Sequence, residues 1–502
     1  MSLYHSTRSR AISRTSKEAI REGLAADGGL FVCDALGAEK FEVSRLVDMS
    51  YSEIAQAVLE MLLPDYTSDE VAACVREAYE GTFSSPEVTP LVPLESLGTG
   101  SIDSPVSVLE LFHGPTSAFK DVALQMLPRL MARAGGADGD GRVMIVTATS
   151  GDTGKAALAG FADAPGCGIT VFYPAGKVSH VQELQMTTQT GGNVAVCAVR
   201  GNFDDTQSAV KRIFADSALA ERLGAAGWTL SSANSINVGR LVPQVVYYFA
   251  AYAQLLRAGT IEVGDEVEFC VPTGNFGDVL AGYYAKLLGL PVAKLIVASD
   301  ANNVLYDFLT TGVYDRNRPF FTTTSPSMDI LISSNLERML YYLSDGDCEL
   351  VAALMAELAE TGRYEVPSDL LARIQGVFGC GWASEAEVSD AIRSCWEGHG
   401  YLIDPHTACG YHVLERTPAA PGARARVLLS TASPYKFPRA VAEALGLAVP
   451  EDDFACMETL AQATGTTPPK QLASLQSAPV LHDDVVDVDD MGAFVERAAL
   501  DL

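Results

Sequence analysis

The chain has 502 residues, 48% hydrophobic and 20% charged, the balance of a folded chain with room for about two to four domains. With 35 basic against 63 acidic residues its formal charge is −28, which argues against broad nucleic-acid binding and against docking on an anionic membrane, since both need a basic surface. An anionic substrate therefore requires a local pocket that overcomes the field of the whole chain.

Residues 4–17 carry Arg8, Arg10 and Arg14 among serines and threonines with no acid, the composition of a transit peptide. They lack an apolar face, and an ordered run at 28–32 follows, so they read as part of the folded chain. The first ninety-odd residues read as mostly helical: Ile54, Val58, Leu59, Met61 and Leu62 recur at helical spacing behind a capping-type Ser52. Residues 89–100 are rich in Pro, Gly and Ser and mark a boundary, giving an N-terminal helical domain at 1–95.

From there strands and helices alternate. Strands are expected at 106–112, 143–148, 169–173, 194–199, 268–271 and 295–298, with helices at 118–133, 155–161 and 178–188. Continuous apolar strands separated by helices imply parallel sheets covered on both faces. The fold class is α/β with two parallel-sheet domains, at 96–240 and 241–502. The longest weakly polar stretch, 241–256, contains Gln244 and Gln254 and is short for a span of ~20 residues, so it reads as a buried helix. A helical insertion occupies about 300–400, with helices at 336–343, 350–358, 370–378 and 388–396. Sheet signal returns at 427–430. The acidic tail with Asp483, Asp484, Asp487, Asp489 and Asp490 reads as solvated surface.

The ten cysteines form no C-x-x-C pair, and no His/Cys cluster has zinc spacing, so no metal is expected. Cys33, Cys197, Cys270 and Cys409 sit among apolar or small neighbours and read as reduced, buried thiols. That usage, without a secretory signal, points to a reducing compartment, the cytoplasm.

Three strand-to-helix loops carry the candidate chemistry, because ligands in open α/β sheets bind at strand C-terminal ends. In the first, residues 113–121, Thr116 or Ser117 can cap a helix whose first turn holds Lys120. A lysine there is commonly a surface residue, but the helix dipole disfavours its charge, and an amine that loses its proton can attack a carbonyl. His113 reads as a turn residue. The second, residues 147–154, crowds hydroxyls and N–H groups at a helix start and suits a carboxylate or phosphate; a plain helix cap is the alternative, and Asp152 argues mildly against an adjacent anion. The third, residues 272–278, offers glycines and consecutive N–H groups for a single phosphate, or simply a tight turn. It matches neither nucleotide-binding glycine pattern.

Together these loops resemble the signatures of the threonine synthases. The His-Gly-Pro-Thr-Ser-Ala-Phe-Lys-Asp run at 113–121, Ser-Gly-Asp-Thr-Gly at 150–154 and Gly-Asn-Phe-Gly-Asp at 274–278 occur in that family's order. Tyr4, residues 6–8 and 27–30 resemble the N-terminal domain of its long bacterial and fungal type, and residues 234–237 with Arg240, 430–432, Pro434 and 436–437 also match. The resemblance implies a fold-type II enzyme using pyridoxal 5′-phosphate to convert O-phospho-L-homoserine and water to L-threonine and phosphate. It implies Lys120 as the Schiff-base lysine, Gly274, Asn275, Phe276, Gly277 and Asp278 around the cofactor phosphate, Thr431 at the pyridine nitrogen and Asp152 near the 3′ oxygen. Ser150, Gly151 and Thr153 would bind the substrate carboxylate, and Asn234, Ser235 and Arg240 the substrate phosphate. Partners would be this small molecule, with no nucleic acid or membrane, and the assembly a monomer or homodimer. A serine or threonine dehydratase shares fold and cofactor and is the rival. The His-Gly-Pro-Thr context, Arg240 and the N-terminal region favour the synthase.

Overall fold

A computed structural model of the chain describes residues 3–94, 105–135, 141–149 and 151–502. Residues 95–100 of the boundary stretch at 89–100, and Ser150, lie outside the described residues.

The N-terminal region is not mostly helical at its start. Tyr4–Ser6 lies between Ser9–Arg14 and Phe31–Cys33 in a three-stranded antiparallel sheet. The central strand is only three residues long and buried throughout, too short to show alternation in sequence. The helices Ser16–Glu22, Tyr51–Leu62 and Ser68–Tyr79 each begin in a reciprocal capping box, Thr15 with Glu18, Ser50 with Glu53 and Thr67 with Glu70. Ser50, not Ser52, is thus the cap of the second, because only its third helical residue is a glutamate able to bond back to the cap nitrogen.

Two sheets follow. The larger runs Phe378–Trp382, Val292–Ser299, Glu266–Pro272, Ala423–Ser430, Val106–Glu110 and Leu91–Leu94, parallel except for the last, antiparallel edge strand. The smaller runs Asp484–Asp487, Val194–Arg200, Cys167–Pro174, Arg142–Ala148 and Trp228–Ser231, all parallel. Sheet membership therefore does not follow boundaries at 95 and 240. Val106–Glu110 lies in the larger sheet, where Ser430 pairs with Glu110, while the C-terminal Asp484–Asp487 crosses back to the smaller one. The acidic tail is largely solvated in its side chains, yet its backbone closes the edge at Val194–Arg200.

The insertion contains the helices Leu336–Leu343, Cys348–Thr361, Ser368–Val377 and Glu385–His399. It also contributes Phe378–Trp382 to the larger sheet, a strand with two glycines that the sequence reading leaves unassigned beyond Phe378. Stretch 241–256 falls inside the buried helix Val238–Arg257. Among the described residues no helix is long and apolar enough to cross a membrane, and no group of His, Cys, Asp and Glu is placed to hold a metal ion.

Candidate active site

Lys120 opens the helix Lys120–Ala134, two residues later than the periodicity predicts. Ser117 is left-handed at φ 56°, and Ala118 forms an isolated bridge with Ala432, so the chain cannot turn helical before Phe119. Neither Thr116 nor Ser117 caps this helix. Thr116 instead donates through N and Oγ1 to buried Asp121, at 2.8 and 2.7 Å. Burial raises the Asp121 carboxyl to about 6. Gly114 packs on Asp121, where a Cβ would come within 2.4 Å of its Cβ. His113 is a turn residue, bonded to Glu110 at 2.7 Å and Ser84 at 3.0 Å.

The bridge at Ala118 sets Lys120 beside the loop after Ala423–Ser430. Phe119 N donates to the Thr431 carbonyl at 2.8 Å, and Ser433 N to the Ser117 carbonyl at 3.1 Å. Thr431 is buried at this junction. Burial lowers the Lys120 amine to about 8, with the positive charges of Arg240 and Lys436 adding to the effect and Asp152 opposing it.

Asp152 begins the helix Asp152–Phe161 on the smaller sheet. Lys436 Nζ donates to its Oδ1 at 2.5 Å, Lys155 Nζ stands 3.1 Å from the same oxygen, and Ser327 Oγ donates to Oδ2 at 3.1 Å. Burial opposes ionisation, but the lysines outweigh it and hold the carboxyl well below the usual range. Lys155 is fully buried, is lowered to about 7 chiefly by burial, and makes no hydrogen bond despite its ion contact. Three lysines, Lys436, Lys155 and Lys120, thus converge around one carboxylate, and Arg240 stands near enough to Lys120 to act on its charge. This is the local positive pocket that a chain of charge −28 needs for an anionic ligand.

The loop after Glu266–Pro272 supplies the anion cradle. Ser333 Oγ donates to the Gly274 carbonyl at 2.7 Å, and Asn335 N and Nδ2 donate to the Asn275 carbonyl at 3.1 and 3.2 Å. The carbonyls are tied back, while no acceptor is found among the described residues for the N–H groups of Gly274, Asn275, Phe276 and Gly277. They lie at the N-terminal end of the helix Gly277–Leu287, a position suited to a phosphate. Phe276 is left-handed at φ 62°, the twist that turns this strand into its helix.

Asp278 departs from expectation. Its Oδ1 accepts from Tyr247 at 2.5 Å and Tyr248 at 3.0 Å on the helix Val238–Arg257. Its Oδ2 is buried with no hydrogen-bond partner among the described residues. Burial raises the carboxyl to about 7.

Beyond the cradle lies loop 234–237. Arg240 is buried, donates to the Ala233 carbonyl at 3.0 Å, and is lowered to about 10 by burial. A Cβ on Gly277 would stand 3.7 Å from Ser235 Cβ, so this loop abuts the cradle. Asn234 is exposed, and its Oδ1 is occupied by Ser235 N at 2.6 Å. Gly151 precedes Asp152 at the helix start, and Thr153 is half-buried one residue after it.

Sequence reasoning assigned no role to Lys155, Lys436, Ser327 or His406. Lys155 was within reach, being three residues from Asp152 on a helix. Ser327 and His406 gave no signal. His406 Nε2 accepts from Ser327 N at 3.1 Å, and its Nδ1 bonds Asp404 at 2.6 Å, so two distant segments orient the serine that meets Asp152.

A buried, weakly basic lysine and a helix-start phosphate cradle, each on a loop that follows a strand of the larger sheet, define the class of a pyridoxal-phosphate-dependent enzyme. Residues 83–431 match the family described by that name, residues 3–79 match the threonine synthase N terminus, and residues 407–491 match the threonine synthase C-terminal region. The chain is 38% identical to threonine synthase of Schizosaccharomyces pombe, covering 88% of this chain and 89% of that protein. It is likewise 38% identical to threonine synthase of Pseudomonas aeruginosa, covering 88% and 90%. Human threonine synthase-like 1 is 39% identical over 85% of this chain, which spans only 58% of that longer relative. A pyridoxal-phosphate-bound threonine synthase structure from Brucella melitensis superposes with a TM-score of 0.86 at 37% identity, over 99% of this chain and 100% of that one. The yeast threonine synthase structure gives 0.86 at 34%, over 100% and 99%. The chain belongs to the threonine synthase family. Its residues fit pyridoxal 5′-phosphate, with Lys120 for the aldehyde and the four free N–H groups for the phosphate.

Proposed function

We propose that this protein is a threonine synthase, converting O-phospho-L-homoserine and water to L-threonine and phosphate, the last step of threonine biosynthesis. The observation that carries the reading is the pairing of two candidate anion sites, the cradle at 274–277 and loop 234–237 with Arg240, which abut where a Cβ on Gly277 would stand 3.7 Å from Ser235 Cβ. A substrate bearing its own phosphate needs the second site beside the first.

The cofactor, when bound, supplies an electron sink that stabilises negative charge on the substrate carbons. Lys120, the cradle N–H groups and Thr431 would hold it. The Lys120 amine, lowered to about 8, releases and takes up protons near neutral pH and serves the substrate carbons in turn. Arg240 receives the departing phosphate, keeping most of its guanidinium donors for it after bonding Ala233. Ser150, Gly151 and Thr153 would hold the substrate carboxylate, although the Gly151 N–H itself donates to Thr149 Oγ1 at 3.1 Å. Lys436 and Lys155 balance Asp152 so that its charge does not repel that group. Thr431 is a neutral hydroxyl and does not force a proton onto the pyridine nitrogen as a carboxylate would. Lys120, Asp152 and Arg240 are each under a tenth exposed, so these groups sit where bulk water has little access. The assembly would be a monomer or homodimer, and ten unpaired cysteines suit the cytoplasm.

The test is phosphate release from O-phospho-L-homoserine by the cofactor-loaded protein, with the organic product identified. Threonine and phosphate in equal amounts support the reading. Phosphate with 2-oxobutyrate would mean elimination without capture of water, the dehydratase-like outcome. No phosphate from protein that still holds its cofactor overturns the reading.

A further inference from the structure

The helix Leu336–Leu343 of the insertion places one fully buried arginine where three parts of the molecule meet. Arg338 Nε donates to the Phe31 carbonyl of the N-terminal sheet at 3.0 Å. Its Nη2 donates to the Ile236 carbonyl at 2.5 Å, and Nη1 reaches the Ser235 carbonyl at 3.5 Å. Nη1 also donates to Asn335 Oδ1 at 2.5 Å, and Asn335 in turn donates twice to the Asn275 carbonyl of the cradle. No carboxylate pairs with Arg338 among the described residues. The adjacent Glu337 is drawn instead to Arg8, at 2.9 Å, and to Thr7, at 2.5 Å. One planar, fixed fork of donors therefore joins the substrate-side loop to the N-terminal sheet and, through Asn335, to the cofactor-side loop.

We propose that Arg338 is a positioning residue that sets the spacing of loop 234–237 against the cradle at 274–277, with the N-terminal sheet as its third anchor. This rests on the reading of loop 234–237 as the substrate-phosphate site. The two loops do not depend on Arg338 equally. Asn275 keeps its bonds from Asn335 without it, whereas the Ser235 and Ile236 carbonyls have no other donor among the described residues. Loss of Arg338 therefore loosens the substrate side more than the cofactor side.

The experiment compares wild-type, Arg338→Lys and Arg338→Met holoenzymes by calorimetric titration with inorganic phosphate, by cofactor affinity, and by KM and kcat with O-phospho-L-homoserine. In Arg338→Met, phosphate affinity should fall about tenfold and KM rise in parallel, with cofactor affinity held within about threefold. Arg338→Lys, which keeps the charge and part of the donor set, should recover part of the loss. Should Arg338→Met not fold, the same ordering in Arg338→Lys decides the matter. Unchanged phosphate affinity in a folded variant, or equal loss of phosphate and cofactor affinity, overturns the proposal. The titration needs no turnover. A wild-type protein that binds phosphate but releases none from the substrate overturns the proposed function, while the arginine's role is still decided by the variants.

Discussion

Lys120 and Asp278 are both buried beside the cofactor site, and burial drives each toward its neutral form, with opposite consequences for pH. Lys120 loses its charge readily, so cofactor capture by the apoenzyme should quicken as pH rises from 7 to 9. Lys120→Ala should abolish both the visible absorbance of the lysine-bound cofactor and threonine formation; normal turnover in that variant would remove Lys120 from the mechanism. Asp278 lies at about 7 against an ordinary 3.8, so the folded state holds its proton more tightly between those values. Its stabilising contribution is present below about pH 4 and is lost as pH climbs through 7, at up to about 1.4 kcal/mol per unit. Asp278→Asn does not titrate. It should therefore gain on the wild type in thermal midpoint between pH 4 and 7, and it should keep the cofactor, because the side chain faces Tyr247 and Tyr248. A midpoint difference that does not change with pH would show that Asp278 does not titrate in this window. Lys120 was legible because its motif is contiguous. The partners of Asp278 were not, because Tyr247 and Tyr248 lie on a different helix.

At the scale of elements, the helices of Lys120 and Asp152 are locked at Gly160. A Cβ there would fall 1.9 Å from the Leu124 carbonyl oxygen, so only glycine lets Lys120–Ala134 and Asp152–Phe161 approach this closely. Gly160→Ala forces them apart and should cost about 1–3 kcal/mol, read as a lower denaturant midpoint. It should also reduce turnover more than Leu or Met exchanges elsewhere on these helices, because the same displacement separates Lys120 from Asp152. A stability loss with unchanged turnover would mean that the crossing does not set the site. Periodicity found both helices, since each buries a broad apolar face. It could not find their crossing, which depends on a pair distant in sequence. The strand Tyr4–Ser6 was missed for a related reason. It is held by contacts distant in the chain, Tyr4 Oη donating to the Leu62 carbonyl at 2.7 Å and Tyr341 Oη meeting His5 Nε2 at 3.0 Å.

Across the whole molecule, chain order and spatial order part company at the C-terminus. Asp484–Asp487 closes the smaller sheet, and the helix Met491–Leu500 that follows buries Met491, Phe494 and Val495 against it. An acidic run read by composition alone looks solvated, and most of its side chains are. What composition hides is the paired backbone and the apolar helix behind it. The smaller sheet carries the Asp152 loop at the end of Arg142–Ala148, so the last twenty residues underwrite a site built from residue 149 onward. Phe494 meets Phe172 edge-on at 5.6 Å, and Phe172 lies on Cys167–Pro174, the strand paired with Arg142–Ala148. Phe494→Ala should destabilise this sheet by about 3–5 kcal/mol. Because the larger sheet and its cradle are untouched, cofactor affinity should change little while KM for O-phospho-L-homoserine rises, the signature of a loosened Asp152 loop. Cofactor and substrate affinities falling together would instead show that the two sheets yield as one unit, and that the C-terminal strand supports the whole centre and not one side of it.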